Sequence, residues 1–156
     1  MKRIICIIFI SVLLLFSLSG CYSYKEIDSI YVYKHENYFN YDYERFVDLK
    51  NCKLFMYSSE ETGKRRNINE ENQGYKEIED LDSVKVEQFK KDISEHGINS
   101  WEESYYNDGT MDGVSIEITI NYSDGTQKTT YVYYEYPDNW EAIRNDMFNL
   151  TGRYLI

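Results

Sequence analysis

Few residues in this chain have the type and spacing that chemistry requires. His35-Glu36 opens like the zinc-protease motif H-E-x-x-H, but Phe39 stands where the second histidine belongs, so the ligand pair is missing. His35 and His96 are the only histidines and Cys52 is the only thiol beyond residue 21, too few ligands for a transition-metal cluster. No G-x-S-x-G elbow or phosphate-cradling glycine loop is present. The chain is therefore expected to be no enzyme and to carry no cofactor. One partial cation motif remains: Asp108, Thr110 and Asp112 take positions 1, 3 and 5 of a loop with Gly113 at position 6, like the start of an EF-hand. Position 12 would be Thr119 inside an expected strand, with Glu117 as a possible substitute. The alternative is a Gly-rich loop joining two antiparallel strands.

The other candidates are aromatic, and a hairpin must position them. Val114 to Tyr122 alternates strictly, with Val114, Ile116, Ile118, Ile120 and Tyr122 on one face. Asp124-Gly125 then turns the chain into a second alternating run, Gln127–Tyr136. A two-residue loop would oppose Ile118 to Tyr131 and Ile116 to Tyr133 on the core side. Val132, Tyr134 and Tyr136 would then lie on the outer face, a possible binding surface beside Glu117 and Glu135 that suits a sugar ring or a peptide. A three-residue bulged loop would swap the faces.

The remaining elements follow from periodicity and caps. Ile27 to Tyr33 reads as a first strand, and a second extended region runs from Phe46 to Tyr57, divided near Lys50-Asn51. Period 2 puts Cys52 on the face of Leu54 and Met56, as a buried, inert thiol. Residues 58–77 are polar and aperiodic, a solvated loop around Lys64-Arg65-Arg66. Val86, Phe89 and Ile93 form the stripe of a helix over Ser83 to His96, with Asp82 or Ser83 as N-cap and Gly97 just past its end. His96 suits the negative end of that helix. Trp101 to Tyr106 reads as a short strand. A last helix follows Pro137, with Asp138 and Glu141 as a capping-box pair, Trp140, Ile143, Met147 and Phe148 as its stripe, and Gly152 as its stop. These elements predict an α+β fold: one domain over residues 26–156 with an antiparallel sheet packed against two helices, in the order β-β-loop-α-β-β-β-α.

The N-terminus carries an address. Lys2 and Arg3 precede an apolar run from Ile4 to Leu18, too short to span a bilayer and well matched to a signal-peptide core. Leu18-Ser19-Gly20-Cys21 then resembles the lipobox of bacterial lipoproteins. The resemblance implies cleavage before Cys21, acylation of its thiol with fatty acid such as palmitate, and a cell-membrane location facing outside the cytoplasm. Several acyl chains on one residue hold stably where a single chain is marginal. Cleaved secretion and an uncleaved anchor are the alternatives. Residues 1–20 are then the signal peptide and 21–25 a lipidated tether, where Tyr22 and Tyr24 could settle at the lipid interface.

Without residues 1–20 the net charge of −10 becomes −12, because Lys2 and Arg3 leave. Such acidity argues against nucleic acid and against attraction to anionic headgroups. All 17 tyrosines lie beyond the leader, a composition that favours strands over disorder. The ending, from Trp101 through Asp124-Gly125 to Tyr136-Pro137-Asp138-Asn139-Trp140, is similar to small uncharacterised lipoproteins of Gram-positive anaerobes. That resemblance covers residues 83–150 and implies an envelope type but no activity. The expected function is a lipid-anchored extracytoplasmic binding or interaction module, its partner an envelope protein or glycan. A regulator or inhibitor of an envelope enzyme is the alternative, and a cell-wall hydrolase the third option.

Overall fold

The strand alternations close into one sheet. The computed structural model describes residues 25–36, 41–58, 76–107, 109 and 113–156. Seven strands form: β1 (Ile27–Glu36), β2 (Tyr41–Asp48), β3 (Lys53–Ser58), β4 (Lys76–Asp80), β5 (Ser104–Tyr106), β6 (Val114–Tyr122) and β7 (Gln127–Tyr133). Their spatial order is β4-β3-β2-β1-β6-β7-β5. All neighbours run antiparallel except β5, which lies parallel to β7. The α+β architecture is thus as expected, with a mixed sheet. The expected strand at Trp101 starts only at Ser104, and β4 lies partly within what composition marked as loop. The rest of that polar stretch, including Lys64-Arg65-Arg66, lies outside the described residues, as do Cys21, Tyr22 and Tyr24.

Both helices cover the same face. α1 (Ser83–Glu95) buries Val86, Phe89 and Ile93; α2 (Trp140–Thr151) buries Trp140, Ile143, Met147 and Leu150. They share a core with Ile30, Val32, Val47, Leu54, Ile116, Ile118, Ile120 and Val132. Burying each such side chain contributes roughly 1.5–3 kcal/mol, which makes this layer the main source of stability. Phe148, expected in the stripe, is instead at the surface, stacked on Tyr154 with ring centroids 4.6 Å apart. Leu150 takes the inward place.

Helix ends follow local chemistry in one case and tertiary demand in the other. At α1 the Asp82 carboxylate accepts from the amides of Val84 and Lys85 at 2.8 and 3.1 Å. Gly97 ends that helix with φ +82°, a left-handed conformation that glycine adopts without steric cost. At α2 the expected Asp138 cap does not form: Asn139 is the N-cap residue and makes no capping bond. Its side chain accepts from Trp101 Nε1 at 2.7 Å and donates to the His96 carbonyl. Asn139 thereby ties the end of α1 to the start of α2, beside stacked Trp101 and Trp140.

Cys52 sits in the β2–β3 turn with φ +54°, outside the strand that period 2 suggested, and packs half-buried against the core. Lys25, expected in the tether, is part of the fold: its Nζ lies 3.1 Å from Asp124 and over the Tyr122 ring.

Candidate functional site

The β6–β7 turn decides which side chains reach the surface. Tyr122 and Thr126 close it: the Tyr122 amide donates to the Thr126 carbonyl and the Gly125 amide to the Tyr122 carbonyl, both at 2.9 Å. The loop is therefore Ser123-Asp124-Gly125, with Gly125 at φ +80°. Asp124 stabilises it by accepting from the Thr126 hydroxyl and amide and pairing with Lys25, which holds its carboxyl down at about 2. One extra loop residue shifts the pairing by one. Ile118 opposes Thr130, Ile116 opposes Val132, and Glu117 opposes Tyr131.

This shift overturns the expected faces. Val132 points into the core and is 2% exposed, so it belongs to no binding surface. Tyr134 is half-buried at an isolated bridge to Tyr106, with φ +62°, a conformation uncommon for a non-glycine residue. Its ring lies so close to Gly113 that a Cβ on Gly113 would fall within it. Tyr136 is 47% exposed, but it leans on Trp140 beside a different hollow, of about 560 Å³, near Lys34 and Arg144. The cations of that hollow already have partners: Lys34 is 2.9 Å from Glu36, and Arg144 is 3.3 Å from Glu141.

Tyr131 and Tyr106 are exposed as well, at 52% and 57%. Both belong to the sheet face opposite the helices, where the pairing sets out three rows that carry aromatic side chains. One row runs Phe55, Phe46, Tyr31, Thr119, Thr129 across β3, β2, β1, β6 and β7. The next runs Glu44, Tyr33, Glu117, Tyr131, and the third runs His35, Ser115, Tyr133, Tyr106. Adjacent strands lie about 4.8 Å apart, so neighbours in a row touch or nearly touch. The rows are buried near the middle of the sheet, at Tyr31, Glu44 and Thr119, and open toward β7 and β5.

At the open end Tyr106 stacks on Tyr133 with centroids 5.3 Å apart, and Tyr134 meets Tyr133 edge-on at 5.1 Å. A hollow of about 340 Å³ lies between Tyr33, His35, Tyr131 and Tyr133, with Ser115 and Glu117 among its lining. Glu117 is 8% exposed and sits in its row between the two tyrosines Tyr33 and Tyr131. Chemically this is a carboxylate among aromatic faces, a setting for π-stacking and hydrogen bonding. Sequence reasoning weighed Glu117 and the tyrosine content but missed Tyr131 and Tyr106. The signal that would have found Tyr131 is the Gly in the third place of Ser123-Asp124-Gly125, which suits a bulged loop.

The other ionisable centres hold the fold together. His96 Nδ1 lies 2.6 Å from Asp146 of α2, and this bond raises the imidazole above its ordinary value of 6.5. Among the described residues no hydroxyl or thiol hydrogen-bonds to His96, so the pair reads as a clasp between helices. Lys90 is disfavoured by burial, yet Glu87 and Glu26 more than compensate and raise it. Among the described residues no group of three or more His, Cys, Asp or Glu is placed to hold a metal ion. Asp108, Thr110 and Asp112 lie outside the described residues. Comparison of the chain with family models, with curated proteins and with solved structures finds no match in any of the three.

Proposed function

We propose that this chain is a binding module held by lipid on Cys21 outside the cytoplasm, and that it engages its partner through the tyrosine platform of β7 and β5. The observation that carries the reading is the exposure of Tyr131 and Tyr106 beside a hollow lined by Ser115 and Glu117. Two large aromatic rings exposed on one sheet face, next to a polar floor, form the kind of apolar patch with convergent polar groups that marks a recognition surface. The lipobox-like Leu18-Ser19-Gly20-Cys21 supports the anchor.

Two measurements test the reading in intact cells. Metabolic labelling with an alkyne fatty acid should mark the chain, and Cys21→Ala should abolish the label. A photo-reactive residue at position 131 should then crosslink an envelope component. The same residue at Val84, 77% exposed on α1, should not. Equal crosslinking from both positions would remove the platform from the proposal.

A further inference from the structure

The chain enters the fold at a fixed place. Lys25 is clamped where β1 begins: its Nζ donates to the Thr126 hydroxyl at 2.9 Å and pairs with Asp124 at 3.1 Å. The Ser123 amide donates to the Glu26 carbonyl, and the amides of Leu49 and Lys50 both donate to the Asp28 carbonyl. The β6–β7 turn and the β2–β3 turn therefore flank the start of β1, and the three form one end of the sheet. β1 is the fourth of the seven described strands, so the chain enters at the middle of that end. Exposed turn residues, among them Lys50, Asn51, Ser123 and Asp124, surround the entry.

Two lengths then set an orientation. Lys25 follows Cys21 by four residues, a reach of at most about 14 Å when fully extended. β1 has 10 residues, and a strand of that length runs about 30 Å. Resting on the reading that Cys21 carries lipid, we infer that the end of the sheet where β1 begins faces the bilayer surface, held there by the short tether. The opposite end, with Glu36, Val114 and Tyr106, cannot take its place, because the strand is about twice as long as the tether. Charge adds little at the entry: Lys25, Lys50 and Lys53 lie 3.1, 3.7 and 2.8 Å from Asp124, Asp28 and Glu77. Exposed charges paired in this way interact only weakly with headgroups. The long sides of the sheet are less suited to lipid. Glu102 and Glu135 near the β7–β5 platform, and Glu87 and Glu141 on the helices, are exposed carboxylates that headgroup phosphates repel. The platform thus rises along one flank of an upright sheet, and whatever it binds must come within about 45 Å of the bilayer.

The full chain, purified from cells and reconstituted in phosphatidylcholine vesicles, can carry a dye clicked onto p-azidophenylalanine at one position at a time, with a nitroxide-headgroup lipid as quencher. Positions 50 and 123 report the two turns; 106 and 141 report the open and helix sides of the far end, and all four side chains are exposed. Dyes at 50 and 123 should lose about half of their fluorescence, and dyes at 106 and 141 about a tenth or less. Adding anionic phosphatidylglycerol should leave the contrast unchanged. Inserting about twenty Gly-Ser residues between Tyr24 and Lys25 should bring the four values together, because such a linker spans roughly 25 Å and frees the body to turn. Quenching at 106 or 141 equal to that at 50 means that the sheet lies on a face, and overturns the inference. A contrast that survives the linker, or that needs phosphatidylglycerol, overturns it too. Intact mass separates the two readings. Acyl groups on Cys21 with equal quenching everywhere remove the orientation alone, whereas a chain without acyl groups removes the anchor and the orientation together.

Discussion

The two faces of β6 and β7 are built from alternate residues of the same strands, yet they differ in chemistry and in burial. On the helix side Ile116, Ile118, Ile120 and Val132 are buried against α1 and α2. On the other side Glu117, Tyr131, Tyr133 and Tyr106 grade from buried to half-exposed toward the sheet edge. Apolar, β-branched residues fill the first face because shape and burial are all it needs. The second face keeps carboxylate, hydroxyl and phenol groups, which cost desolvation without adding to a dry core. Side chains that fill a core and side chains that line an open, polar face can therefore alternate within one strand.

The largest expected effect lies on the helix side. Ile118→Ala, at a side chain only 1% exposed, should cost about 3 kcal/mol of unfolding free energy in urea titration. A loss no greater than that of an open-face variant would erase the distinction between faces. Gly113→Ala comes next. Its methyl group must displace the Tyr134 ring, so about 1–3 kcal/mol should be lost, with a change in tyrosine near-ultraviolet circular dichroism. Unchanged spectra would mean that the rim of the platform adapts freely.

Asp82→Ala, which removes two capping bonds from α1, should cost about 1 kcal/mol in the same urea assay. A smaller, pH-dependent effect belongs to His96. Its pKa is raised in the fold, so the stabilisation is fully present below about 6.5 and is lost as pH rises through the raised value. The parent should thus exceed His96→Gln in melting temperature more at pH 5 than at pH 9. A constant difference would show that the clasp with Asp146 does not depend on charge. Last, Tyr131→Ala should change stability by less than about 0.5 kcal/mol while weakening partner binding. A larger destabilisation would assign Tyr131 to packing and shrink the contrast between the faces.

Much of the fold was legible in the chain. The alternation of Val114–Tyr122, the stripe of Val86, Phe89 and Ile93, and the stops at Gly97 and Gly152 are local signals, and each matches its element. They are readable because a period or a positive φ depends only on near neighbours. The Asp138–Glu141 pair was misleading because Asn139 is drawn into bonds with Trp101 and His96, partners 38 and 43 residues distant. The parallel seat of β5 was hidden for the same reason: a three-residue strand carries almost no signal of its own, and β7 alone defines its place.

The candidate site was the least legible part. Sequence by itself determined the two helices and the alternation of β1, β6 and β7, since these rest on local period. Only the tertiary structure decided which half of the β7 alternation faces out. A single added residue in the Ser123-Asp124-Gly125 loop moves every β7 side chain to the opposite face, because the period of a strand is two. That shift sends Val132 inward and brings Tyr131 to the surface beside Glu117.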